Sequence, residues 1–187
     1  MKRQFRLGRL LVTGIVAVAA ASQLTAAAQA GPADPTVPTR IRVPDGQKLF
    51  LVGHAVGVQI YKCNATAGGF AWGPAVPRAD LYNGKGHLVA THFGGPTWQA
   101  TDGSKVVGQR VDGVTVDPGA IQWLLLSAAS ASAGPDGSRL AETSFIQRIA
   151  TTGGLVPPAA ECNARTVGTE HEVPYTADYY FWKATGA

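Results

Sequence analysis

Cysteine is scarce in this chain: 187 residues hold two, Cys63 and Cys162. Neither belongs to a C-x-x-C or C-x-x-C-H motif, which argues against thiol redox chemistry and c-type haem attachment. Histidine is also sparse, at four residues. No H-x-H, H-E-x-x-H or Cys/His cluster is present, so no zinc or copper centre is expected. There is no G-x-S-x-G elbow and no S-x-x-K pair, the spacings that build serine nucleophiles. Gly94-Gly95-Pro96 and Gly153-Gly154 precede no helix signal, whereas a phosphate cradle needs backbone N–H groups converging at a helix start. Both read as turns.

Acidic residues are missing from the first 30 positions, which carry Lys2, Arg3, Arg6 and Arg9. A small, apolar run from Leu11 to Ala21 follows, then Ala28-Gln29-Ala30 ahead of Gly31. A basic start, a short apolar stretch and an A-x-A site make the pattern of a Sec-type signal peptide over residues 1–30. The apolar run is too short for a membrane span. Export to the periplasm or the medium is expected, with no transmembrane segment in the mature form. Four of the 16 basic residues belong to this segment, leaving 12 against 12 acids. A mature chain of zero formal charge lacks the basic stripe that nucleic acid requires. In an oxidising exported compartment the two cysteines are expected to form one disulfide, Cys63–Cys162, with free or metal-binding thiols as the alternative.

What the chain does contain is turn residues, with 23 Gly and 12 Pro. Residues 31–42, GPADPTVPTR leading to Ile41, read as an extended Pro-rich tether. Residues 43–187 read as a single all-β domain. Short alternating runs recur between turn signals such as Asn83-Gly84 and Asp102-Gly103. Candidate strands are 48–55, 58–63, 70–72, 79–82, 87–93, 97–100, 105–112, 145–151 and 179–183. Residues 121–127, an apolar run continuing in Ala and Ser to 133, suit a buried strand or a helix. Nine or ten short strands at this spacing predict a sandwich or a small barrel.

The candidate site residues lie around the second hairpin. Trp98 follows Gly-Gly-Pro-Thr, with His92 before it and Asp102 after it. A ring, an imidazole and a carboxylate there could serve a ligand through Trp98, His92 and Tyr61. They could instead serve general acid–base catalysis through His92 and Asp102. His87 and His92, five apart in one run, fall on opposite faces of a strand and so do not share a site. Trp123 and Trp182 read as core. No cofactor is expected.

The strings GVQIYKC, FAWGPAVPRADLY, GGPTWQATDGSKVVG, FIQRIATTGG and VPYTADYYFW together resemble a family of secreted bacterial and fungal proteins catalogued as a domain of unknown function, number 3455. The likeness runs from about Val43 to Lys183. Some fungal members carry a malate dehydrogenase label, but this chain has no G-x-G-x-x-G strand–turn–helix unit for a nicotinamide. The resemblance brings no catalytic residues with it. The expectation is an exported, non-enzymatic β-domain that binds a small molecule, a glycan or an envelope partner. A secreted hydrolase using His92 and Asp102, or a structural envelope protein, are the alternatives.

Overall fold

The computed structural model of the chain describes residues 32–186 together with Met1. Beyond Met1, the expected signal peptide and its cleavage site lie outside the described residues. The fold is nearly all β, with strands β1 (Gln47–Thr66), β2 (Gly69–Trp72), β3 (Val76–Tyr82), β4 (Leu88–Phe93), β5 (Thr97–Ala100), β6 (Lys105–Val114), β7 (Trp123–Ser132), β8 (Phe145–Gly153) and β9 (Glu170–Ala184). They form one antiparallel sheet in the order β2-β1-β3-β4-β5-β6-β7-β8-β9. The sheet bends round until β9 pairs with β1, from Gln47↔Ala184 to Lys62↔Glu170. Pairing thus closes into a ring from β1 through β3 to β9, with β2 added on the far end of β1 at Cys63–Thr66. Closure removes the exposed edges that an open sheet would present for aggregation.

Where two strands were expected over 48–63, there is one of 20 residues. Gly53 and Gly57 do not interrupt it. A Cβ at Gly57 would stand only 2.5 Å from the Cβ of Ala79 on β3, so glycine lets the two strands approach. Of the run 121–133, which suits strand or helix by sequence, Trp123–Ser132 are strand, as β7. Its alternate residues Leu124 and Leu126 face the ring interior, while Leu125 packs on the outer face. The run looks uniformly apolar because both faces are covered.

The interior core holds Leu81, Trp98, Val106, Ile146, Tyr179 and Phe181, all at most 1% exposed. A smaller cluster lies outside the ring, where Ile41 packs with Leu125 and Ile149. The Pro-rich segment is therefore anchored at its C-terminal end. Residues Thr39–Ile41 form a 3-10 turn, and the Ile41 carbonyl accepts a bond of 2.7 Å from Gln147 Nε2. Arg40 pairs with Asp112 at 2.7 Å. One end of the ring is sealed by the loop between β7 and β8, whose Leu140 is fully buried. The opposite end stays open. No helix among the described residues is long and apolar enough to cross a membrane.

Candidate functional site

The open end is framed by the second half of β1, the end of β6, the start of β7 and the end of β8. It carries a shallow hollow of about 510 Å³, open to solvent, lined by Tyr61, Arg110, Ile121, Leu124, Arg148 and Val156, among others. Local backbone chemistry explains its shape. The β8–β9 pairing slips between Ile149 and Thr152, and Ala150, Gly153 and Gly154 take φ values of 49°, 58° and 74°. Such a bulge bends the strand and turns the chain across the ring mouth. The turn is held by Thr151 Oγ1 donating to the Ile121 carbonyl at 2.6 Å and by Tyr61 O–H donating to the Gly154 carbonyl at 2.7 Å. A methyl group at Gly154 would lie 3.2 Å from both Gln59 Cγ and Ile121 Cγ2, so the turn packs closely on both side chains.

Two arginines reach the hollow. Arg148 occupies an inward position between Leu124 and Tyr179 in the strand register. Its Nε and a terminal nitrogen donate to the Gln122 carbonyl at 3.1 and 2.9 Å. Arg110 donates to the Gln122 side-chain oxygen at 2.9 Å. Gln122 thus holds both guanidinium groups, one by its backbone and one by its amide. Among the described residues neither arginine forms an ion pair with a carboxylate. Burial pushes the phenols of Tyr61, Tyr175 and Tyr179 up, and the Arg148 charge opposes that rise at each.

Of the residues singled out in the sequence, Tyr61 lines this hollow, whereas Trp98 and His92 do not reach the surface. They are 1% and 3% exposed. Their rings stack at 4.2 Å with 3° between planes, and Tyr179 meets both edge-on. His92 Nδ1–H donates to the Thr97 carbonyl at 2.9 Å, since a carbonyl can only accept. Burial drives the imidazole pKa down to about 3, so the ring is neutral at any physiological pH.

Asp102 sits at the β5–β6 turn, with Oδ1 accepting from Ser104 Oγ at 2.5 Å and Ser104 N at 3.1 Å. Its Oδ2 accepts from Arg139 N at 2.8 Å. Ser104 Oγ in turn accepts from Leu140 N. The Ser104 hydroxyl, then the Arg139 N–H, hold the Asp102 carboxyl below its usual range. Asp102 therefore ties down the loop that seals the closed end, and its partners are separate from those of His92. The convergence that acid–base catalysis by this pair would need is not formed. Replacing Asp102 by Ala should cost about 1–2 kcal/mol through the lost hydrogen bonds. The same change should speed tryptic cleavage after Arg139, and an unchanged cleavage rate would refute the latch.

Sequence reasoning did not find the arginine pair, because Arg110 and Arg148 meet only through Gln122. It also did not find His54 and Asp178, which face each other across β1 and β9 with Nδ1 2.6 Å from Oδ1. That pair is exposed on the outer wall, away from the hollow. A second hollow of about 430 Å³ lies under the N-terminal segment. Its Trp182 Nε1 donates to Gln147 Oε1, whose amide is already bonded to Ile41, so these groups are satisfied internally. No group of three or more His, Cys, Asp or Glu suited to a metal ion occurs among the described residues.

No curated protein and no solved structure matches the chain. A family model described as Protein of unknown function (DUF3455) matches residues 44–183, which span both cysteines, the ring and both arginines of the open end, and the chain belongs to that family.

Proposed function

We propose that the protein is an exported, non-catalytic binding domain that takes a small molecule into the open end of its ring. The hollow beside Tyr61 and Arg148 carries this reading. Its volume of about 510 Å³ falls in the range of small-molecule sites, and Ile121, Leu124, Leu155 and Val156 give it an apolar wall with few polar groups. A glycan is less well served, because Trp98, the ring best placed in sequence to stack on a sugar, is inside the core. Export is supported by the basic and apolar N-terminal pattern and by the Cys63–Cys162 disulfide, which an oxidising compartment favours.

Nile red, a neutral apolar dye, tests the site. Saturable fluorescence enhancement is expected with the chain recovered from its own host. Leu155 and Val156 are exposed by 42% and 55% and lie in no strand, so replacing both by Ser should leave the fold intact. Loss of part of the apolar wall should weaken the dye about tenfold. Absence of saturable binding, or equal binding by the variant, would sink the reading.

A further inference from the structure

Arg148 differs from every other described arginine in being only partly accessible; the others are exposed. A guanidinium partly withdrawn from water gains from acceptors for its five donors and from an opposite charge. Gln122 supplies one neutral carbonyl, and the Tyr179 hydroxyl lies beside the guanidinium as a second neutral partner. The acids nearby are engaged: Asp112 by Arg40 at 2.7 Å, and Asp117 by the backbone N–H of Gly119 at 2.7 Å.

A second observation points the same way. Gln59, 3% exposed and packed inside the ring against the Gly154 turn, has no acceptor for its amide nitrogen. Trp98 Nε1, deeper in the ring, also has none. Two buried donors of the ring interior thus go without an acceptor, behind the hollow rather than in its lining. At its mouth, two positive charges fixed by one residue, Gln122, adjoin the apolar wall of Leu124, Ile121, Leu155 and Val156.

We infer that the ligand is an amphipathic anion, an apolar body bearing a single carboxylate, with its head on Arg148 and Arg110 and its body along the Leu124 wall. This rests on the proposal that the open end is a binding site. Arginine suits the role because its planar fork meets both carboxylate oxygens and remains charged at any pH the protein meets. A neutral lipid would cover Arg148 without supplying it a counter-charge. A cationic one would be repelled.

The test compares decanoate, decan-1-ol and decyltrimethylammonium as displacers of Nile red from the chain recovered from its own host. Decanoate should bind at least tenfold more tightly than decan-1-ol, and the ammonium compound should be weakest. In Arg148→Gln the ratio of decanoate to decan-1-ol affinity should fall toward one. Arg110→Gln changes an exposed position, so its fold should survive, and the ratio should fall there too. Equal affinity for acid and alcohol, or a preference that outlasts both substitutions, overturns the anion inference while the dye result stands. If Nile red itself does not bind, the binding reading falls and the inference with it.

Discussion

Replacing both Cys63 and Cys162 by Ser is expected to lower the free energy of unfolding by about 4–5 kcal/mol, from the loop-entropy relation for a closed loop of roughly 100 residues. The two Cα atoms are 5.3 Å apart and 99 positions separate the cysteines in sequence. Opening so large a loop frees the unfolded chain far more than it disturbs the folded one. Backbone bonds would still hold the segment in place: Cys63 N donates to the Thr169 carbonyl at 3.0 Å and Gly168 N to the Cys63 carbonyl at 2.8 Å. Trp72 Nε1 also donates to the Pro158 carbonyl at 3.2 Å. The variant should therefore fold, with its urea midpoint lower by about 2 M for a typical slope. A midpoint equal to that of the oxidised parent would remove the disulfide from any account of stability. Dye binding at the open end should survive, because neither cysteine lines the hollow.

The fold class was legible because it rests on local signals. Asp102-Gly103 and Asn83-Gly84 stand where hairpins turn, and the run 97–100 is β5 as expected. Errors of length came from residues whose local meaning the ring overrides. Pro174 lies within β9, opposite Val58, and Pro77 lies within β3. Proline normally argues against a strand interior, and the expected strand 179–183 covers only the last part of β9. Of the mouth hollow, only Tyr61 was legible. It depends on closure, which brings Tyr61, Arg110 and Arg148 together from β1, β6 and β8, and on a left-handed Ala150 that no composition rule announces. Conversely, His92, Trp98 and Asp102 are near in sequence yet do different work. The first two pack inside, and the third fastens a loop.

His92 should make the protein markedly less stable in acid. In the folded state burial lowers its pKa from 6.5 to about 3, helped by the Arg148 charge and opposed by the bond to the Thr97 carbonyl. In the unfolded state the imidazole titrates near its ordinary value. Below about pH 6.5 the unfolded chain therefore binds a proton that the folded chain refuses, and stability falls as pH falls. The slope approaches about 1.4 kcal/mol per pH unit and ends near pH 3, where the folded ring also protonates, for a total of about 5 kcal/mol. Carboxylates such as Asp102, held low by the Ser104 hydroxyl and the Arg139 N–H, add their own loss only toward the acid end. Urea unfolding between pH 6 and pH 4 isolates the histidine. His92→Phe keeps a ring against Trp98 and removes the titrating group, so its stability should vary with pH by about one proton less across that window. Equal slopes in the two proteins would mean that His92 is not held neutral. Water, and a substrate with it, would then reach the centre of the ring, and the enzymatic reading would regain the ground that the stacked, buried imidazole takes from it.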